Sequence, residues 1–452
     1  MKKKIASILM GAGLCFTVQA ASDSWKLDAA GNWTDAANWT GGNVPGSTTL
    51  NNNTDTATFA TLLTANRVVT VDANRNIGTI TFQNPANVVG TAASTSIAYT
   101  LSGGNLKLSD GGVIQVIAGS GTNMPTVSSA IEIQGDGGSA TIKNDVPGGI
   151  AGLKIDGVIT GSSTAGNTTT LFLDGVSTST GIGGAARNNT VGVIGDGTAG
   201  GKLKVVKNGT GTWLIGMTGT FTGGFDINSG TIRYFSTGDK GFGNGIVTIG
   251  GDITFNHANS GIMAVTNAMI VNGNITFNGA DNPEFSGAMN FNSAIRTITS
   301  GSAGNTNVTL SGQISNGGLT KAGAGVLILA GSNTYSGITT VTAGKLIVDA
   351  DHVFGGTTSI TVAAGTTLTL QNGVLNDYIN NSASLILNST SVLNLGFTGD
   401  DKVGAISKDG GTTWLSPGTY NAASLTASGT GAGTLTIERK KVLRLIGITS
   451  KP

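Results

Sequence analysis

The sequence predicts an all-β protein wound as a β-solenoid, a parallel β-helix, and three observations carry that prediction. Glycine supplies 73 of 452 residues, about 16% and roughly twice average usage. Hydrophobic residues nevertheless reach 38% and fall in short β-branched runs, so the composition is not that of a disordered chain. Two of these runs, "GDITFN" (Gly251–Asn256) and "GNITFN" (Gly273–Asn278), share one pattern and lie 22 residues apart. Finally, "KNGTGTWLIGMTGTFTGGFDINSGTIRY" (Lys207–Tyr234) can be laid without a gap on the stretch that opens "KAGAGVLILAGSNTYSGITT" (Lys321–Thr340), at a constant offset of 114.

Each observation has a physical reading. Ile253, Thr254 and Phe255 alternate as strand residues do, and Ile275, Thr276 and Phe277 repeat them. If 22 residues make one coil, Phe255 lies directly below Phe277 at the strand spacing of roughly 4.8 Å. Strands of four to six residues, separated by Gly, Asn, Asp, Ser and Thr, suit a sandwich, a barrel or a solenoid. Regular spacing without a visible domain boundary favours the solenoid. Corners of stacked coils bring backbones close together, which glycine tolerates and larger residues do not. The expected rod holds under about 20 coils and extends on the order of 90 Å.

The elements follow in order. Residues 1–20 carry Lys2, Lys3 and Lys4, an apolar stretch from Ile5 to Val18, and small residues at Val18 and Ala20. This predicts a secretory signal peptide cleaved after Ala20. The single cysteine, Cys15, lies inside it, and Leu14 before it argues against lipid attachment. Residues 21–60 are expected to form an N-terminal cap containing Trp25, Trp33 and Trp39. The β-helix is expected over 61–438, with the two repeat copies at 201–235 and 317–348. A basic tail, 439–452, carries Arg439, Lys440, Lys441, Arg444 and Lys451, read as charges that block an exposed edge.

Charge narrows the function classes. Without Lys2, Lys3 and Lys4 the chain has 22 basic against 24 acidic groups. That balance builds no positive field for nucleic acid. No later apolar run reaches the length of a membrane-spanning helix.

The stretch "GGLTKAGAGVLILAGSNTYSGITTVTAGKLIV" (Gly317–Val348) resembles the autotransporter-associated β-strand repeat, also called the passenger-associated transport repeat. Leu319, Lys321, Gly323, Gly325, Gly331, Asn333, Tyr335, Gly337, Gly344 and Leu346 carry the resemblance. The earlier copy is degenerate, with Met217 and Gly219 where Gly331 and Asn333 stand. The resemblance implies a right-handed parallel β-helix of the pectin-lyase type. It implies a secreted or surface-exposed protein, extracellular or on the outer membrane of a Gram-negative-type bacterium. It implies no catalytic residue, because the repeat carries none. The sparsely aromatic C-terminal region does not read as a translocator barrel, so another export route or a truncated gene is expected.

Candidate chemistry is thin. His257 and His352 have no metal-ligand spacing around them. Asn53–Asp55 and Asp400–Asp401 resemble fragments of a glycosidase signature, but some 350 residues separate them. Neither a metal, a cofactor nor a catalytic set is therefore expected. Trp33 and Trp39 are candidate glycan contacts, with a cap over the open end of the solenoid as the favoured reading. Thr339, Thr340 and Thr342, and Thr366, Thr367 and Thr369, are read as outward polar ladders. The expected function is structural or adhesive, presenting loops to an extracellular glycan or cell-surface protein. A polysaccharide lyase or hydrolase on the same fold, and an inert passenger stalk, are the alternatives. The oligomeric state stays open.

Overall fold

The computed structural model describes residues 21–49, 53–83, 97–117, 124–149, 152–178, 189–215, 219–234, 240–257, 264–279, 282–301 and 307–438. The leader, Cys15 and the basic tail lie outside them. Local sequence makes nearly all of this strand, because apolar and polar residues alternate in runs of four to eight. Thr168–Gly175, for example, alternates half-buried and buried residues along its whole length, the period-2 pattern of a sheet covering a core.

One parallel ladder starts at Asp23–Trp25 and climbs through Thr56–Phe59, Arg75–Phe82, Asn105–Val116, Ser139–Asn144, Thr168–Gly175 and Lys202–Lys207. It continues through Phe225–Ile227, Val247–Ile249, Met269–Val271, Met289–Ser300 and Ile314–Ala322. Thr339–Val341, Ser359–Val362, Ser384–Leu387 and Ala405–Ser407 complete it. These sixteen strands make fifteen parallel pairings, a stack of roughly 72 Å at about 4.8 Å each. A second face runs beside it from Gly31–Asn32 through Arg67–Val71 to Ile253–His257 and Ile275–Gly279. The two faces merge in Met289–Ser300, which turns a corner at 291–293, where Asn292 and Ser293 take positive φ and the ladder shifts register. A third sheet of seven parallel strands runs from Ala264–Val265 to Val392–Gly396. Three-sided coils around one apolar interior define a parallel β-helix.

The 22-residue coil holds where it was read. Phe225, Val247 and Met269 succeed one another at that offset, and Phe255 stacks on Phe277 with ring centroids 5.6 Å apart and 20° between planes. Elsewhere the coil length varies. Asp23 pairs with Ala57 and Ile80 with Ile114, both 34 residues on. Long N-terminal coils mean fewer rungs and a shorter stack than a uniform period implies. Strand length is fixed by the core, whereas the connections are free to lengthen on the outside.

Two threonine ladders are corrected. Thr339 faces the core from its strand and Thr366 is buried at a turn; Thr339 Oγ1 contacts the Tyr335 hydroxyl and Thr366 Oγ1 donates to the Ala363 carbonyl. Thr369 is also covered, and its hydroxyl accepts from Asn394. The outward column instead comprises Thr297, Thr320, Thr340 and Thr361, in register on successive rungs.

The solenoid does not continue unchanged to 438. At Asp400 the chain enters a small separate sheet, Asp400–Val403 parallel to Thr434–Ile437, which also pairs antiparallel with Gly418–Asn421. One helical turn, Ala422–Leu425, is N-capped by Asn421, whose side chain accepts from Ser424 N. This unit covers the last rung. Leu395 N donates to Thr430 O at 2.8 Å, Leu393 N to Thr426 Oγ1 at 3.1 Å, and Leu425 and Leu435 are buried.

Candidate functional site: the repeat corner and the outer groove

The repeat residues build a corner around a buried ammonium. Lys321 ends its inward stretch of strand with no exposure, and Nζ donates to three carbonyls: Ala322 O at 2.8 Å, Gly323 O at 2.7 Å and Ala343 O at 3.0 Å. Lys207 does the same with Asn208 O, Gly209 O (2.8 Å) and Ser229 O (3.1 Å). Three donors meet three acceptors, so the cation is fully satisfied although it is out of water. In both copies two acceptors come from the lysine's own corner and the third from 22 residues on, so each lysine fastens one coil to the next. Burial pushes both lysines down to about 8; they remain charged at neutral pH, as the three carbonyls require.

Glycine at this corner is obligatory. Gly323 has φ +75° and Gly344 φ +67°, a region costly for other residues. A Cβ on Gly344 would stand 2.5 Å from both the Gly323 and Gly325 carbonyl oxygens. Leu319 and Leu346 point into the core, as Val205 and Ile232 do in the earlier copy. Asn333 accepts from Ile314 N and donates to Val353 O, tying three rungs together. Tyr335 is buried and its hydroxyl meets Thr339 Oγ1 at 2.9 Å. The two copies differ here in a coupled way. Phe221 and Phe225 occupy the positions equivalent to Tyr335 and Thr339, and the hydroxyl pair becomes an edge contact between rings 6.3 Å apart. Nothing in the sequence flagged that exchange, because the two positions are four residues apart and not adjacent on a strand.

The tryptophans are not a sugar platform. Trp33 and Trp39 are each 0% exposed, with Trp33 Nε1 donating to Pro45 O and Trp39 Nε1 to Trp33 O. Together with Trp25 they pack around Phe59, all ring centroids 5.2–6.1 Å apart. No ring face is open to a ligand, so the glycan-contact assignment of Trp33 and Trp39 falls. The cluster sits on the first rung of the ladder, where Asp23–Trp25 pairs in parallel with Thr56–Phe59 and Trp25 also bridges antiparallel to Trp39.

The carboxylates are scattered, and most are structural. Asp55 lies at the first rungs, and Asp401 lies in the terminal sheet. Asp400 and Asp401 point to opposite faces of their strand. Asp400 accepts from Thr434 and Thr436 hydroxyls. Asp401 is buried and accepts from the amides of Tyr378, Ile379 and Lys402. Burial pushes Asp401 up to about 7, while those amides pull the other way. His352 lies 3.2 Å from Asp377 with both side chains about half exposed. His257 ends a strand in the second face. Among the described residues no group of three or more His, Cys, Asp or Glu side chains is placed to hold a metal ion.

A groove crosses the outer wall over four rungs. Lys204, Asp226, Thr248 and Ile270 supply its strand side, and Gly223, Gly224, Asn244, Gly245, Ile246 and Ala268 its turn side. Its volume is about 740 Å³, within the range of ligand sites. Lys204 and Asp226 form an ion pair on neighbouring strands. Ile246 is 52% exposed at the turn edge. The hollow exists because glycines are forced there. A Cβ on Gly223 would stand 2.4 Å from Leu203 O, and one on Gly245 would stand 2.6 Å from Gly224 N.

The fold and the lysine corner together define a β-helical rod whose repeated element joins coil to coil. The family model described as passenger-associated-transport-repeat matches the chain twice, at residues 205–233 and 319–348. Each match spans the buried lysine, its carbonyl cage and the next strand. The repeat points to an autotransporter-passenger-like protein, exported and surface-associated, and suggests a structural module. No helix among the described residues is long and apolar enough to cross a membrane. No curated protein and no solved structure matches the chain.

Proposed function

We propose that the protein is an extracellular rod with a structural and adhesive role, and that its outer groove binds a glycan. The groove is the observation that supports this reading. It spans three rung spacings, roughly 14 Å at about 4.8 Å each, room for a short oligosaccharide. Its lining suits a sugar on both counts. Asp226, Lys204, Asn244 and Thr248 offer donors and acceptors for hydroxyl groups, and Ile246 and Ile270 offer apolar surface for C–H faces. The strand side of the groove lies on the parallel ladder, which lowers the ordering cost of binding.

The test is a glycan array with the chain 21–452, run beside an assay for released reducing or unsaturated sugar. Binding without release, lost in Lys204→Ala and Asp226→Ala, supports the adhesive reading. Release of sugar makes the protein a lyase or hydrolase instead. Neither signal leaves an inert stalk and overturns the proposal.

A further inference from the structure

Asp55 is 3% exposed, yet among the described residues no ion pair reaches it. Its Oδ2 accepts from Gly46 N at 2.8 Å, and its Oδ1 accepts from Ala21 N at 2.6 Å. Both oxygens of this buried carboxylate thus meet backbone N–H donors and no cation. The buried guanidinium of Arg75 donates to both oxygens of Asp72 and to the carbonyls of Pro45 and Gly46, not to Asp55. The position of Ala21 is fixed by register. Ser22 Oγ accepts from Thr56 N, and Asp23, Ser24 and Trp25 pair with Ala57, Thr58 and Phe59. Independently, the sequence places small residues at Val18 and Ala20, the pattern of a leader cleavage site before Ala21.

We propose that Ala21 is the first residue of the mature chain, and that its α-ammonium forms an ion pair with Asp55 that locks the first rung. Hydrolysis of the Ala20–Ala21 amide by an export-linked peptidase consumes one water. It leaves a carboxylate on Ala20 and an amine on Ala21, which takes up a proton near neutral pH. The neutral amide that donates to Oδ1 in the precursor becomes a cation at the same place. A bond from a neutral N–H to the carboxylate is replaced by an ion pair at the same place, and the buried carboxylate gains its counter-charge. Cleavage therefore tightens the cap that holds Trp25, Trp33 and Trp39.

The experiment compares three forms of the mature chain: authentic Ala21, Ala21 with an acetylated α-amine, and a chain extended by one glycine before Ala21. Amide exchange is followed at Asp23–Trp25 and Thr56–Phe59 at pH 6. Both modified forms should exchange there at least about 10-fold faster than the authentic form. Asp55→Asn should abolish the difference between free and acetylated chains; the glycine extension carries the test if that variant does not fold. Equal exchange in the three forms overturns the proposal. So does N-terminal sequencing of the exported protein that begins anywhere other than Ala21.

Discussion

Replacing Lys321 by methionine tests whether the repeat is defined by its carbonyl cage. Methionine keeps the side chain out to Cε, with sulfur in place of Cδ, and removes the ammonium. Three buried acceptors, Ala322 O, Gly323 O and Ala343 O, lose their donor. An unsatisfied buried group costs about 1–3 kcal/mol. Burying a thioether in place of a desolvated cation offsets part of that, and water reaching the corner offsets more. A net loss of about 3 kcal/mol is expected for the coil around residues 319–348. Repeat arrays do not unfold as one two-state unit, so the measurement is local. Native-state amide exchange at Leu319–Lys321 and Thr339–Val341 should quicken about 100-fold, since about 1.4 kcal/mol is tenfold. Lys207→Met should act equally on its own coil and leave the second copy unchanged. Lys321→Arg should not rescue, because a planar guanidinium cannot aim three donors into this cage. Acceleration of less than about fivefold in Lys321→Met would refute the reasoning. The lysine would then be tolerated in the corner without fastening it.

Gly344→Ala should destabilise the same coil by about 3 kcal/mol through positive φ and contact with two carbonyl oxygens, read as a fall in the local unfolding free energy from amide exchange. Trp33→Ala should cost about 3–5 kcal/mol, seen as early loss of the N-terminal rungs to protease, while glycan binding stays intact because no tryptophan face is open. Asp28 is held down to about 2, first by the side-chain hydrogen bond from Arg67. A lowered carboxyl stabilises the fold above its ordinary value near 3.8, and that contribution disappears as pH falls through about 2. The stability difference between wild type and Asp28→Asn should therefore be constant from pH 5 upward and shrink between pH 4 and 2.

Much of this architecture is legible in the sequence because a solenoid repeats its physics. Ile253, Phe255, Ile275 and Phe277 announce an inward face by alternation and a coil by their offset. Lys321, Gly323 and Gly344 announce a corner by recurring as Lys207, Gly209 and Gly230. Other features leave no periodic trace. The 34-residue coils arise from outside connections, which the core does not constrain. Thr339 and Thr366 look outward by composition, but one is an inward strand residue and the other a turn residue, and their hydroxyls bond inside. The small sheet over the last rung has the same strand texture as the rod, so its change of pairing direction is invisible before folding. The groove is least legible of all, because it is made of side chains that are missing at Gly223, Gly224 and Gly245. The Asp55–Ala21 contact joins residues 34 apart that no motif links.

The lysine corner also makes the order of one coil depend on the next. When Lys321 first closes its turn, two of its three carbonyls are already at hand in Ala322 and Gly323. The third, on Ala343, arrives only after the chain has travelled once more around the rod. Lys207 stands in the same relation to Ser229. Order in one coil therefore favours order in the coil that follows, and structure spreads along the rod from wherever it starts. In a chain threaded through a narrow opening, a coil fastened in this way is a catch against slipping back.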